Sequence, residues 1–141
     1  MTFLADRWGI TLAALSIVAL LWWMTRKRDA LLGYREIDPT EAVNMLNREN
    51  AIPIDLRDHT LFLSGHLQGA KNHPANRLLE AEDALQDVKT EALIVYCERG
   101  IDSARAASYL SKRGFNRVFK LRGGLTAWRS AGLPVSRSAA D

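Results

Sequence analysis

Between Trp8 and Met24 the chain carries 17 residues without a charge, WGITLAALSIVALLWWM. As a helix these residues extend about 25 Å, near the lower limit for crossing the hydrocarbon core of a bilayer. No face of such a helix is polar, so it does not suit the surface of a soluble domain. Trp8 at one end and Trp22-Trp23 at the other stand where indole rings favour the membrane interface. Arg26, Lys27 and Arg28 follow at once. Positive charge stays on the cytoplasmic side, which predicts an N-terminus outside and the rest of the chain inside, as a single-pass protein of the inner (cytoplasmic) membrane. A cleaved signal peptide would place its charge before the apolar core and small residues at its end. Here the charge follows, and bulky Trp22, Trp23 and Met24 occupy that end. The expected layout is a tail at 1–7, a transmembrane helix at 8–25, a basic juxtamembrane linker at 26–34, a globular domain at 35–135 and a tail at 136–141.

Charge and composition narrow what the globular part does. The net charge of +3 lies wholly in Arg26–Arg28, because residues 29–141 carry 15 Lys/Arg and 15 Asp/Glu. Nucleic-acid binding wants a basic face to neutralise phosphates, so no nucleic-acid partner is expected. One cysteine, Cys97, excludes an internal disulfide and a multi-cysteine zinc site. His59, His66 and His73 are seven residues apart, about two turns along a helix, too far for two of them to ligate one metal ion from a helix face.

From residue 37 onward strand and helix signals alternate. Asp38-Pro39-Thr40-Glu41 predicts a helix start, with Asp38 as cap and Pro39 in the first turn. Ala51–Asp55 predicts a short buried strand, in which Pro53 belongs at the start or at an irregularity. Residues 76–88 predict a polar helix. Ala92-Leu93-Ile94-Val95-Tyr96 is an unbroken apolar run of the kind found in strands covered on both faces. A helix from Ser103 to about Arg113 follows, ended by Gly114, then a strand at Val118–Leu121. Gly123-Gly124 turns the chain into a last helix containing Trp128. Such alternation implies a mainly parallel sheet with helices on both sides.

Cys97 falls at the carboxyl end of the most apolar strand, just before a helix. In parallel sheets that end collects reactive groups. A free cysteine is often only a small buried hydrophobe. This position favours the reactive reading. The loop Cys97-Glu98-Arg99-Gly100-Ile101-Asp102, curling onto a helix start, is expected to turn several backbone N–H groups inward and to lower the thiol pKa. Gly100 would supply a backbone angle closed to other residues.

Several segments stand out: Ile54-Asp55-Leu56-Arg57, Gly65-His66-Leu67-x-Gly69-Ala70 and Asn72-x-Pro74; then Tyr96-Cys97-x-x-Gly100, Ser103-Ala104 and Gly114-Phe115; then Gly123-Gly124, Trp128 and Ala131-Gly132-x-Pro134-Val135. Together they resemble the rhodanese domain. The likeness runs in order through residues 35–135. It implies a rhodanese-like α/β fold with five strands, flanked by helices on both faces. It implies a sulfurtransferase in which Cys97 takes a sulfane sulfur from thiosulfate or a persulfide and passes it to a thiol or cyanide. No metal or organic cofactor is implied. The acceptor would come from outside the chain, such as thioredoxin or another protein thiol; the donor could be another protein's persulfide.

Under this likeness Cys97 is the nucleophile. Glu98, Arg99, Gly100, Ile101 and Asp102 form the persulfide-binding loop, mostly through backbone N–H groups. Ser103 is expected to open the helix, and Asp102 to serve as its N-cap. Asp55 and Arg57 are expected to support the loop by pairing with its backbone. His66 and Trp128 read as structural. The loop side chains sum to −1, which predicts weak use of thiosulfate and a preference for a less highly charged donor. A phosphatase of related fold needs Cys-x5-Arg, and that place holds Ser103. The competing reading is a non-catalytic rhodanese-like docking module at a membrane surface.

Overall fold

The computed structural model describes residues 3–137. It divides at residue 32 into two compact units. The first is one helix, α1 (Phe3–Leu32), of 30 residues. It is exposed from Trp8 to Arg28 and long and apolar enough to cross a membrane from Trp8 onward. Helix continues through 26–32, part of the stretch expected to be linker. Arg, Lys, Ala and Leu are good helix formers, and the first breaker is Gly33, with φ of +74°. The Arg26 guanidinium lies 4.0 Å over the Trp22 ring and Lys27 Nζ 4.1 Å over Trp23.

The second unit is a parallel sheet of five strands in the order β1-β5-β4-β2-β3. The strands are β1 (Arg35–Ile37), β2 (Ile52–Asp55), β3 (Lys71–Asn72), β4 (Leu93–Tyr96) and β5 (Val118–Leu121). Between and after them run α2 (Pro39–Arg48), α3 (His59–Ser64), α4 (Leu78–Ala84), α5 (Ile101–Lys112) and α6 (Gly124–Ser130). The apolar run at 92–96 becomes the middle strand, β4, which is wholly buried. Its side chains alternate between two cores. Ile94 and Tyr96 pack with Ile37, Phe62, Leu121 and Trp128 on one face. Leu93, Val95 and Cys97 pack with Ile54, Ala106, Ala107 and Leu110 on the other. Burying each large aliphatic chain contributes about 1.5–3 kcal/mol, which makes this strand the anchor of the sheet.

Local signals explain most boundaries. Asp38 caps α2 by accepting the Glu41 N–H at 2.8 Å, with Pro39 in the first turn. Pro53 lies inside β2, where its register places it opposite Ile94. Ile52 donates its N–H toward the β4 side, to Ala92, so position 53 faces the β3 side. There β3 begins only opposite Ile54, so the missing N–H breaks no ladder bond. The segment at 76–88, expected as one helix, is instead α4 flanked by 3-10 turns at Ala75–Arg77 and Gln86–Val88. The chain tightens at buried Leu85, whose N–H is shared between the Ala81 and Glu82 carbonyls.

Candidate active site

Three strand ends meet at the carboxyl edge of the sheet. Asp55 and Arg57 leave β2, Cys97 leaves β4, and Gly123-Gly124 leave β5. After Cys97 the chain needs only three residues to enter α5. Gly100 takes φ of +93°, the left-handed angle expected there, and stands as the N-cap. The helix therefore starts at Ile101, two residues before the expected Ser103. Neither Asp102 nor Ser103 is a cap, because both already have helical backbone and a cap must not. Asp102 and Ile101 point to solvent on the first turn, and Arg99 is exposed. Ser103 turns inward, fully buried, and its Oγ lies 3.5 Å from Cys97 Sγ.

The sulfur sits at the bottom of a cleft. Cys97 is 4% exposed, and it borders a solvent-open cavity of about 340 Å³ with Arg57, Asp58, Leu61, Glu98 and Asp102. Cys97 Sγ accepts the Gly100 N–H at 3.0 Å. Several inward N–H groups were expected; among the described residues this is the one main-chain donor that reaches the sulfur. No side chain caps the start of α5. Its first-turn N–H groups have no partner within the helix.

The loop is held from beneath by the next helix. Leu125 N–H donates to the Cys97 carbonyl at 2.9 Å, and Thr126 N–H to that of Glu98 at 3.0 Å. With its carbonyls drawn down onto the start of α6, the loop can turn an N–H up to the sulfur. The approach is so close that a Cβ on Gly124, at φ of +60°, would lie within 2.3 Å of the Cys97 oxygen. A Cβ on Gly100 would stand 3.4 Å from Lys120 Nζ, a nearly buried ammonium paired with Glu36 at 2.6 Å. From the sequence alone Gly123-Gly124 reads as a turn only. Two glycines at a strand end beside a cysteine loop are a signal for such close packing. Nothing in the sequence singles out Lys120 or Arg129.

Asp55 and Arg57 pair chiefly with each other, and of the loop backbone expected as their partner Arg57 reaches the Gly65 carbonyl. Asp55 is fully buried and accepts from Arg57 N, Nε and Nη2. The two residues lie on one side of the same strand end, so the short Asp side chain meets the guanidinium before any loop does. Arg57 Nη2 also donates to the Gly65 carbonyl at 2.6 Å, and Nη1 to Glu98 Oε2 at 3.2 Å. Burial works against the Arg57 cation, and its bonds to Asp55 more than offset this, holding it above its ordinary pKa. Glu98 in turn reaches Arg129 Nη1 at 3.4 Å through Oε1. Tyr96, beneath this cluster, is kept protonated by burial, and its hydroxyl accepts the Leu67 N–H at 3.1 Å. His66 is buried, stacked 3.9 Å from the Phe62 ring, with Nδ1 2.8 Å from the Phe62 carbonyl. Trp128 is buried in the core and donates to the Pro134 carbonyl. Among the described residues no three His, Cys, Asp or Glu side chains are placed to hold a metal ion.

A parallel α/β domain that presents its only thiol to a cleft, at the start of a helix, defines a cysteine-loop protein. The chain belongs to the rhodanese-like domain family, whose profile matches residues 38–131. It is 34% identical over 105 residues to the thiosulfate sulfurtransferase GlpE of Glaesserella parasuis, spanning 72% of this chain and 93% of that one. It is 33% identical over 100 residues to the thiosulfate sulfurtransferase GlpE of Pseudomonas putida, spanning 69% and 86%. The crystal structure of a rhodanese-related protein from Thermoplasma volcanium superposes with a TM-score of 0.68 at 26% identity, covering 74% of this chain and all of that one.

Proposed function

We propose that this chain is a membrane-anchored rhodanese-type sulfurtransferase working through a persulfide on Cys97. The observation that carries the reading is the one thiol of the chain, at the foot of an open cleft with a main-chain N–H on its sulfur. The Cys97 thiolate attacks the sulfane sulfur of a donor. With thiosulfate, the sulfur–sulfur bond breaks and sulfite leaves with the electron pair; with a persulfide, a thiolate leaves. The outer sulfur of the resulting Cys97 persulfide is anionic, one bond further into the cleft, where the uncapped N–H groups of α5 stabilise it. A thiol or cyanide then attacks that sulfur, and Cys97 leaves as thiolate. Ser103 Oγ steadies Cys97 in both states, while Glu98, Arg99, Gly100, Ile101 and Asp102 form the loop. The names of the relatives support thiosulfate as one donor.

The anchor is α1, with the domain in the cytoplasm. Its length, its apolar surface and the Arg26–Arg28 cluster support that reading. Mass spectrometry of the full chain after donor treatment tests the chemistry. We expect one added sulfur atom on Cys97, removable by cyanide and absent in Cys97→Ser. An unmodified thiol under several donors would overturn the enzyme in favour of a docking module. Resistance of the chain to alkaline extraction from membranes tests the anchor, and release into the soluble fraction would refute it.

A further inference from the structure

Arg57 is the one cation among the residues that line the Cys97 cavity, and so the natural place for an anionic donor to dock. It is already taken. Nε and Nη2 are bound by Asp55 and the Gly65 carbonyl, and the outward-facing Nη1 by Glu98. The guanidinium is 3% exposed, so it cannot swing out to meet a ligand. Glu98 contacts Arg57 at 3.2 Å through one carboxylate oxygen and Arg129 of α6 at 3.4 Å through the other. The rest of the charged lining, Asp58 and Asp102, is negative and exposed. Arg129 does not line the cavity.

We propose that Glu98 sets the charge preference for the donor: by occupying Arg57 it weakens the binding of a dianion relative to a sulfane donor of lower negative charge. This rests on the sulfurtransferase reading and narrows its substrate class. The favoured donor is a persulfide or thiosulfonate of lower negative charge than thiosulfate, whose outer sulfur meets Cys97. This differs from a simple repulsion by Asp102, which is solvated on the helix surface and weakly felt. Glu98 acts by removing a binding partner.

Three donors that share the sulfonyl–sulfane bond but differ in charge test the idea. They are thiosulfate (dianion), methanethiosulfonate (monoanion) and 2-aminoethanethiosulfonate (zwitterion). In each, the Cys97 thiolate takes the sulfane sulfur; sulfite leaves from the first and a sulfinate from the other two. In the full chain in detergent, we expect kcat/KM to rise along the series by about tenfold or more, chiefly through KM, and the spread to shrink at high salt. Glu98→Gln removes the charge while keeping an acceptor for Arg57, and Glu98→Ala frees Nη1 as well. We expect the thiosulfate-to-zwitterion ratio of kcat/KM to rise severalfold in the first and further in the second. A flat or reversed series in the natural chain, or an equal fall for all donors in both variants, would overturn the proposal. If no donor loads Cys97 at all, it is the sulfurtransferase reading that has failed.

Discussion

Replacing Gly124 by alanine isolates how α6 holds the cysteine loop. The backbone there has φ of +60°, which costs a non-glycine residue about 1–2 kcal/mol. The new Cβ would also lie 2.3 Å from the Cys97 oxygen and 2.7 Å from that of Glu98. Ordinary carbon–oxygen contacts are about 3.3 Å, so the loop must withdraw by about 1 Å. Overpacking of that kind adds about 1–3 kcal/mol. Withdrawal also breaks the 2.9 Å bond from Leu125 N–H and shifts Gly100 N–H against the sulfur. A displacement of about 1 Å at a reacting group lowers rate by about 10²-fold. Gly132→Ala is the control: its φ is +73°, but nothing lies within 4 Å of the new Cβ. Urea unfolding of the full chain in detergent and single-turnover sulfur loading of Cys97 read the two effects. We expect Gly132→Ala to lose about 1–2 kcal/mol with loading intact. Gly124→Ala should lose about 2–5 kcal/mol and most of its loading rate. Equal behaviour of the two variants would refute the claim that α6 positions the loop by close approach.

Two further outcomes follow from the charged groups. Asp55→Asn leaves the Arg57 guanidinium buried without its carboxylate, and stability should fall by about 3–5 kcal/mol in urea unfolding, against less than about 0.5 kcal/mol for exposed Asp58→Asn. Glu36 is held below its ordinary pKa of 4.5 by hydrogen bonds from Lys120 and Arg122. A carboxylate depressed on folding contributes stability that is complete above its unfolded value and is lost as pH falls through the folded one. Urea midpoints below about pH 4.5 should therefore fall more steeply for the natural chain than for Glu36→Gln, and parallel curves would refute this.

The three strands of the sheet interior and the helices after β4 and β5 follow from patterns a few residues long, whereas α3, after β2, was not among the expected elements. Ala92–Tyr96 is apolar throughout because both of its faces are covered. The edge strands do not read that way. Arg35-Glu36-Ile37 and Lys71-Asn72 are too short and too charged to show a period, and they are strands only because β5 and β2 offer them a partner. In the cysteine loop, Gly100 could be assigned its positive φ from its place between strand and helix. The helix start was misplaced by two residues because Asp102 and Ser103 are both good caps by type, and local preference cannot say which glycine angle makes a cap unnecessary.

The sequence by itself determined the apolar first helix, the alternation that forces a parallel sheet, and the presence of one thiol at the end of its central strand. Hydrophobic pattern and chain connectivity carry that information, and both are local. The tertiary structure alone decided what surrounds the thiol: Gly124 pressed against the Cys97 carbonyl, Ser103 turned inward, and Glu98 in contact with Arg57 and Arg129. These contacts join residues up to 41 positions apart. Their geometry is set by how the strand ends converge, which no short stretch of chain encodes.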